Sequence, residues 1–251
     1  MTSIQGNKYA LLIYVYGANA VISEPPKNRS VSHILEAYNK QVEHLTNMGY
    51  RPRVHWLDNE ASDIRKKYNW QEDIWYQLAT PHIHHVNELE RNITTWKDHF
   101  ISGMASTDTR FPMHMWCRLI PQATTTLNML RPCQRNPTMS AHTAIDGQIE
   151  FNKTPLVPHG IKLLVHKKPQ HRKTWGIHGV PGWYIGPSTE HYWWYTCYTT
   201  TNRGLRHADV VEFLPQHLVV PGLSKTEQAT KAAKELIQVL KIQYQKTPSQ
   251  S

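Results

Sequence analysis

The spacing of apolar residues over the first 131 positions limits the fold more than any other feature of this sequence. Runs with the length and the aliphatic or aromatic content of strands lie at residues 9–16, 19–26, 54–57 and 75–80. Apolar residues spaced three or four apart, as on one face of a helix, lie at residues 31–48, 86–104 and 113–130. Because strands and helices alternate, we predict an α/β fold with a mixed sheet and covering helices, in which 9–16 is a central strand.

The pattern changes after residue 131. Pro132, Pro137 and Pro155 mark residues 132–155 as a linker. Short strand-like runs separated by Gly, Pro, Thr and Asn follow at residues 160–168, 182–189, 192–200 and 208–215. Their close spacing predicts a small β-barrel over 156–222, and residues 223–251 have the pattern of a helix with a polar tail.

Positive charge is concentrated in the second half of the chain. Residues 1–130 carry 13 Lys and Arg against 12 Asp and Glu, whereas residues 131–251 carry 15 against 7. A nearly neutral core followed by a basic region is typical of proteins that bind a polyanion, and DNA is the partner that we expect. The alternative is a basic surface that only keeps the protein soluble.

The cysteines indicate an intracellular protein, with the nucleus as one such compartment. Cys117, Cys133 and Cys197 are odd in number and form no C-x-x-C pair, which argues against a disulfide framework and a zinc ribbon. No apolar run reaches the roughly 18–20 residues of a membrane span, so we expect no membrane partner. An alternative is secretion, because residues 7–20 resemble a signal peptide apart from the tyrosines in their apolar run.

Two acidic residues occupy positions where a ligand site could form. Asp58 comes directly after the strand at 54–57, and open α/β sheets bind ligands at the carboxyl ends of their strands. Glu90 lies on the helix after the next strand, beside the apolar stripe. The two carboxylates together could hold Mg²⁺, which prefers hard oxygen ligands. The competing interpretations are a helix N-cap at Asp58 and an ordinary surface glutamate at Glu90.

Six long stretches, in this order, carry a likeness to a known family. They are GNKYALLIYVYGANAVISEPPKNRS, GYRPRVHWLDNEAS, YQLATPHIHHVNELERNITTWKDHFISGMAS, FPMHMWCRLIPQATTTLNMLRP, FNKTPLVPHGIKLLVHKKP and HGVPGWYIGPSTEHY. Together they resemble the integrase region of Copia-type retrotransposon polyproteins. The likeness extends from about residue 5 to residue 222 and rests on long strings, not on one motif.

This resemblance implies a ribonuclease-H-like integrase core over residues 1–131 and an SH3-like domain over 156–222. It implies a polynucleotidyl transferase that carries out DNA integration with Mg²⁺ or Mn²⁺ held by a D-D-E triad. Asp58 corresponds to the second acid and Glu90 to the third, so both would be catalytic and metal-binding. Lys97 falls among the basic residues that commonly touch DNA after the family's glutamate. Integrases generally act as multimers, so a homo-oligomer is expected.

The first acid of the triad is absent. In the family it lies on the opening strand, just before the stretch that begins at Gly6, but residues 1–23 contain no Asp or Glu. Tyr16 and Gly17 also stand where relatives usually carry a further Asp. We therefore expect a first strand that is missing or degenerate, metal binding that is weak at most, and poor or no strand transfer, because in-line chemistry requires accurate geometry.

A basic segment in the predicted barrel is the second candidate for nucleic-acid contact. Lys167, Lys168, Arg172 and Lys173 lie within HKKPQHRK, residues 166–173. Cations that neutralise phosphates and aromatic rings that stack on bases are the usual elements of such an interface, and tryptophans and tyrosines surround this segment in the sequence. We predict an exposed basic hairpin here.

Three other features have structural explanations. The histidines of residues 81–85 could ligate zinc, but no cysteine pair accompanies them. Cys117 is better explained as a buried helix cysteine than as a nucleophile. Trp183 and one of Trp193 and Trp194 fit the core of a small barrel.

Two functions of different classes remain open. The first is an integrase-like enzyme that depends on Mg²⁺ or Mn²⁺ and is impaired by its incomplete triad. The second is a non-catalytic nucleic-acid-binding remnant, or a co-opted module in which the basic region does the binding. Metal binding through Asp58 and Glu90 is required by the first and not by the second.

Overall fold

A computed structural model of the chain describes most of its first 214 residues. The described residues are 1–57, 75–78, 84–151, 153, 156–167, 170, 174–176, 178–188 and 191–214, with the backbone alone at 55–57, 75–78 and 84–87. Helices combine there with parallel and antiparallel strands, which confirms the predicted mixed α/β class. Residues 1–218 belong to one compact unit, and the predicted helix at 223–251 lies outside the described residues. The predicted domain boundaries stay predictions.

The N-terminal hairpin consists of β1 (Leu11–Val15) and β2 (Ala20–Glu24), which pair antiparallel. A 3-10 turn at Tyr16–Ala18 joins them, and Asn19 closes it with a φ of 53°, in the left-handed region that asparagine tolerates. Within the described residues β1 pairs with β2 alone and all five of its residues are half-buried. The predicted central strand is thus an edge strand there, because aromatic and aliphatic content reports side-chain packing and not the number of neighbouring strands.

Helix α1 (Val31–Asn47) covers the hairpin. It buries Tyr38 and Leu45, and Leu45 packs in one cluster with Ile22 of β2. Beyond its end, Gly49 has a φ of 85°, in the left-handed region that glycine commonly adopts just after a helix.

A parallel pair follows, made of β3 (Val54–Leu57) and β4 (Trp75–Leu78). The chain then enters α2 (His84–Ala105) after five residues. Parallel strands have their carboxyl ends at the same edge of a sheet, and so short a connection keeps the start of α2 within about 20 Å of that edge. Among the described residues the pair β3–β4 and the hairpin β1–β2 are separate two-stranded sheets.

Helix α3 (Trp116–Met129) packs against α2 and β2. The apolar cluster between the three elements consists of Val21, Trp96, Ile120 and Leu127. Asn128 adds polar contacts: its Oδ1 accepts a hydrogen bond of 2.9 Å from the Val21 N–H, and its Nδ2 donates one of 2.7 Å to the Val21 carbonyl. The side chain thereby takes the place of a neighbouring strand at the outer edge of β2.

The predicted linker contains a short helix, α4 (Ala141–Asp146). Its N-cap Ser140 accepts a 3.1 Å hydrogen bond from the Thr143 N–H through Oγ. Asp146 holds the helix to α1, because its Oδ1 lies 2.7 Å from Nε2 of His44. The sequence pattern does not predict this helix, since six residues make fewer than two turns and show no clear periodicity.

A five-stranded antiparallel sheet occupies the predicted barrel region. Its strands are β5 (Lys162–His166), β6 (Gly179–Pro187), β7 (Tyr195–Thr199), β8 (Gly204–Ala208) and β9 (Val211–Phe213). They follow the order β8-β7-β6-β5-β9, and in the described part of the chain no pairing of β8 with β9 closes the predicted barrel. The sequence pattern misses β8, because GLRHA contains no β-branched residue, Phe, Tyr or Trp.

Buried hydrophobic clusters lie on both faces of this sheet. On one face the cluster includes Leu163, Val165, Tyr184 and Cys197. On the other face Ile185 and Tyr198 pack against Phe111, Met115 and Leu119, which come from the start of α3 and the chain before it. The sheet therefore shares a hydrophobic cluster with the helices.

Among the described helices, none is both long enough and apolar enough to cross a membrane.

Candidate functional site

A group of polar side chains lies where the β1–β2 turn, α2 and the end of α3 meet. The group, called here the polar cluster, consists of Tyr14, Asn19, Glu88, Asn92 and Arg131. The Tyr14 hydroxyl lies 3.2 Å from Oε1 of Glu88 and 3.1 Å from Oδ1 of Asn19, and both of these oxygens are acceptors. The hydroxyl thus links the helix carboxylate to the turn.

Arg131 supplies positive charge to the polar cluster. Its Nη2 donates a 2.5 Å hydrogen bond to Oδ1 of Asn19 and another to Oδ1 of Asn92. Its guanidinium carbon lies 5.6 Å from the centroid of the Tyr14 ring, within cation–π range. The Asn92 side chain also donates to the Glu88 carbonyl at 2.8 Å, which orients the amide oxygen toward the guanidinium.

Burial and charge shift the pKa of two groups in the polar cluster. Burial and the Glu88 carboxylate raise the pKa of Tyr14 to about 12, and Arg131 offsets part of this rise. Burial lowers the pKa of the Arg131 guanidinium, although Tyr14 and Glu88 favour its charged form. The positive charge near the Glu88 carboxylate is therefore that of Arg131. This charge would repel a divalent metal ion bound at Glu88.

The structure turns α2 so that Glu88 contacts the hairpin, whereas Glu90 is exposed. Asn92 and Trp96 continue the inner face at intervals of four and are 7% and 5% exposed. Ile93, which the sequence pattern places on the buried stripe, is instead 41% exposed. Asn92 can occupy the interior position in place of Ile93 because both ends of its amide are hydrogen-bonded.

The predicted metal and DNA residues on α2 both lie on its exposed side. Glu90 and Lys97 are exposed, seven positions apart. Asp58 follows the last residue of β3 in the sequence but lies outside the described residues. A shared ion between Asp58 and Glu90 stays a prediction. Among the described side chains, no group of three or more His, Cys, Asp or Glu could hold a metal ion.

The predicted basic segment is described in part. Lys167 is half-buried directly after β5, and its N–H donates a 2.8 Å hydrogen bond to the carbonyl of His178. Lys168, Arg172 and Lys173 lie outside the described residues. Trp175, two positions beyond Lys173, is 99% exposed. A fully exposed tryptophan therefore follows the basic segment closely in the sequence.

The predictions that Cys117 and two of the tryptophans are buried have different outcomes. Cys117 is 3% exposed and carries a free thiol, which confirms a buried helix cysteine. Trp183 packs as predicted, stacked on Tyr198 with ring centroids 6.2 Å apart. The prediction that one of Trp193 and Trp194 is a core residue is wrong, because Trp193 is 45% exposed and Trp194 is half-buried. Both precede β7 in a turn, outside the ladder that fixes the sheet core.

Most residues of the polar cluster carry no local signal in the sequence. Tyr14 and Asn19 belong to the predicted strands at 9–16 and 19–26, and Arg131 ends the predicted core. Only Asn92 gives a local signal, since it lies four residues after Glu88 on a helix. The contacts of Tyr14 with Glu88 and of Arg131 with Asn19 and Asn92 join residues 74, 112 and 39 positions apart and depend on the fold.

Among comparisons with known proteins, solved structures give a weak likeness. No protein-family model matches the chain, and no curated protein matches it. One chain of the cryo-EM structure of a simian T-cell lymphotropic virus intasome, in complex with PP2A regulatory subunit B56 gamma, is similar with a TM-score of 0.43 and 15% sequence identity. The match covers 85% of this chain and 73% of that one. A likeness of this size carries no argument about function.

Proposed function

We propose that this chain is an integrase-like protein of a Copia-type transposable element, with a ribonuclease-H-like core and a basic SH3-like region that bind DNA. Its proposed activity is polynucleotidyl transfer with Mg²⁺ or Mn²⁺, impaired because the triad lacks its first acid. The sequence resemblance from about residue 5 to residue 222 supports this proposal. The order of strands and helices is compatible with it.

The observation that carries the proposal is the parallel pairing of β3 with β4 shortly before α2. Parallel strands have their carboxyl ends at the same edge of a sheet, and α/β folds bind ligands at that edge. Asp58 directly follows β3 in sequence, and Glu90 is the seventh residue of α2. A strand-end carboxylate and a helix carboxylate at such an edge form the minimal set for one ion.

The residues on α2 differ in their fitness for a metal. Glu90 fits, because its exposed carboxylate is a hard oxygen ligand open to water. Glu88 does not fit, because Arg131 shares its surroundings. A bound Mg²⁺ would supply charge stabilisation for the attacking and leaving oxygens. Lys97, on the same exposed side as Glu90, would neutralise a DNA phosphate and hold the backbone in place.

Metal titration tests the site directly. We expect Mn²⁺ to bind the wild-type chain weakly and to lose this binding in Asp58→Asn and in Glu90→Gln. Glu88→Gln is the matched control on the same helix and should bind Mn²⁺ as the wild type does. Metal binding that survives the loss of both Asp58 and Glu90, or its absence from the wild type, would contradict the metal-dependent part of the proposal.

A second function, that of a non-catalytic nucleic-acid-binding module, is favoured by the arginines around the hairpin turn. Arg131 occupies the polar cluster, and the Arg135 side chain lies so close to Gly17 that a Cβ there would come within 2.7 Å of its Nε. Tyr16 and Gly17 are the positions where relatives usually carry an acid. The positive charges of Arg131 and Arg135 near this turn would repel a divalent metal ion there. The same charges would attract the phosphate backbone of a nucleic acid.

DNA binding is tested by its salt dependence. We expect the logarithm of the affinity for duplex DNA to fall linearly with the logarithm of the salt concentration. Reversing Lys167, Lys168, Arg172 and Lys173 to Glu should lower the affinity at least tenfold and reduce this slope. Reversing Lys8, Lys27, Arg51 and Arg53, which are exposed on the first half of the chain, is the charge-matched control. Equal affinity in all three proteins would contradict contact at the basic segment.

The proposed impairment has its own assay. Strand transfer with Mg²⁺ or Mn²⁺ should be slow or undetectable for the full chain. Robust turnover that is abolished by Glu90→Gln would show that the incomplete triad is sufficient and would disprove the impairment.

A further inference from the structure

The turn before β7 presents two aromatic rings to solvent. Tyr192 is 59% exposed and Trp193 is 45% exposed. Their ring centroids lie 6.3 Å apart with 36° between the planes, so the two rings form one tilted surface. Residues 191–194 are called the aromatic turn below.

Trp193 adopts a backbone conformation that is unfavourable for its side chain. Its φ is 59°, in the left-handed region where glycine and asparagine are usual and a bulky residue is an outlier. Strain of this kind persists where surrounding contacts fix the backbone, and it is concentrated at functional sites. Burial of the indole does not account for the strain, because nearly half of the side chain is exposed.

Backbone hydrogen bonds hold the aromatic turn on both sides. The Trp193 N–H donates to the Lys153 carbonyl at 3.0 Å, and the Ser188 N–H donates to the Trp194 carbonyl at 2.9 Å. The turn is therefore anchored to the segment before β5 and to the end of β6. Anchoring of this kind fixes the direction of the two rings before any ligand arrives, which reduces the entropy lost on binding.

The surroundings of the aromatic turn add apolar area and positive charge. Lys153, whose carbonyl accepts the hydrogen bond from Trp193, is exposed, and Phe151, two residues earlier in the sequence, is 57% exposed. The His191 ring lies 4.7 Å from that of Trp194 and 6.2 Å from that of His207. Residues 156–222 as a whole carry seven Lys and Arg against three Asp and Glu. Exposed rings on a cationic region are complementary to an anionic chain with aromatic bases.

We propose that the aromatic turn is a stacking site for unpaired bases of single-stranded nucleic acid, with Tyr192 and Trp193 as the stacking surfaces and Lys153 beside the phosphate backbone. This inference rests on the proposed function, since it names the form of nucleic acid that the basic region takes. Duplex DNA covers the faces of its bases, so it cannot use the two rings in this way. Stacking on a ring is tolerant of sequence, because every base has a π-face.

The affinity of the full chain for a labelled 15-nucleotide oligo(dT) tests the site. Tyr192→Ala and Trp193→Ala should each weaken binding by about 5- to 100-fold, while binding of a duplex changes less. Trp193→Phe keeps an aromatic ring and should retain most of the affinity. Tyr9→Ala, which removes a partly exposed ring from the N-terminal region, is the control and should bind as the wild type does.

Trp193→Gly separates stacking from folding. Glycine adopts a φ of 59° without strain, so this variant should keep or raise the melting temperature while losing affinity for oligo(dT). A lowered melting temperature with unchanged affinity would assign the indole a structural role and overturn the inference. Photocrosslinking to 5-iododeoxyuridine should label Tyr192 or Trp193, and labelling confined to other residues would also overturn it.

The two proposals fail in different ways. If the wild-type chain binds neither oligo(dT) nor duplex DNA, the proposed nucleic-acid function is wrong and the inference falls with it. If the wild type binds both and Tyr192→Ala and Trp193→Gly bind oligo(dT) equally well, the proposed function stands and the stacking site does not exist.

Discussion

Asn128 satisfies the two peptide groups of Val21 that β1 leaves unpaired. It is 2% exposed, so water cannot replace it. An asparagine is suited to this position because its amide carries one acceptor and one donor at the spacing of a peptide edge. A local pattern shows only a polar residue near a helix end, and its role depends on a strand 107 residues earlier.

Replacing Asn128 by Ala should destabilise the protein by about 1–3 kcal/mol, because the buried Val21 N–H and carbonyl lose their partners. Urea unfolding followed by circular dichroism measures the change. Asn47→Ala, at an exposed position in the last turn of α1, should change the free energy of unfolding by less than about 0.5 kcal/mol. Equal effects of the two substitutions would show that the Val21 contacts contribute nothing.

Gly103 on α2 makes room for the ring of His159. A Cβ at this position would lie 2.5 Å from Nε2 of His159 and 2.7 Å from its Cε1. The glycine is needed here for close approach and not for an unusual backbone angle. His159 itself is 8% exposed, so its ring has little space to withdraw.

Gly103→Ala should therefore destabilise the protein, by an amount typical of an overpacked core, about 1–3 kcal/mol. The same substitution in a His159→Ala background should cost far less, since the clashing ring is gone. A double-mutant cycle by chemical denaturation measures this coupling. Additive effects of the two substitutions would contradict direct contact between Gly103 and His159.

The segment that leads into β5 is attached to α2 and the chain after it by several contacts. His159 fills the space above Gly103, and the Gly160 carbonyl accepts a 3.0 Å hydrogen bond from the Asp108 N–H. Gly160 has a φ of 74°, and a Cβ there would meet the Thr107 side chain at 2.4 Å. The attachment thus depends on a small and tightly packed junction.

This junction should weaken in acid. Burial, with a contribution from His99, lowers the pKa of His159 to about 4. The unfolded chain has the ordinary histidine pKa near 6.5, so it binds more protons than the folded chain between these values. Stability should fall as the pH drops from about 6.5 to about 4, by at most about 1.4 kcal/mol per pH unit from this one group.

The measurement is the free energy of unfolding at pH 7, 5.5 and 4.5 for the wild type and for His159→Gln. The difference between the two proteins isolates His159 from the other histidines. A constant difference across this range would mean that His159 keeps an ordinary pKa in the folded protein.

Within the described residues, helices α2 and α3 and the five-stranded sheet share one hydrophobic cluster. Leu119 of α3 is fully buried between Phe111 and the sheet residues Ile185 and Tyr198. Trp183 adds a hydrogen bond across the same contact, from Nε1 to Oδ1 of Asp108 at 3.1 Å. Regions that share buried apolar area in this way are expected to unfold together.

Leu119→Ala should lower the free energy of unfolding by about 2–5 kcal/mol and lower the melting temperature of helices and sheet alike. Hydrogen exchange read separately on α3 and β7 measures both regions. Leu205→Ala, at a 42% exposed position of β8, is the matched control with a small expected effect. Loss of protection in α3 alone would show that the two regions unfold independently.

Local patterns were sufficient for most elements of this fold. The helices at 31–47 and 116–129 and the strand at 54–57 follow from the spacing and type of their apolar residues. Periodicity failed where the element is short, as in α4, or lacks β-branched and aromatic residues, as in β8. For α2, periodicity predicts the helix but not which side of it is buried, because the hydrogen-bonded Asn92 is buried and Ile93 is exposed.

Chain-neighbour spacing specifies helices and strands because side-chain periodicity repeats over a few residues. Sequence position also predicts Asp58 and Glu90 as two ligands of one metal ion, which the described residues leave as a prediction. The polar cluster and the aromatic turn needed the folded chain, since Tyr14 meets Glu88 across 74 positions and Asn19 meets Arg131 across 112. Contacts at such separations depend on packing and backbone strain, which no local pattern encodes.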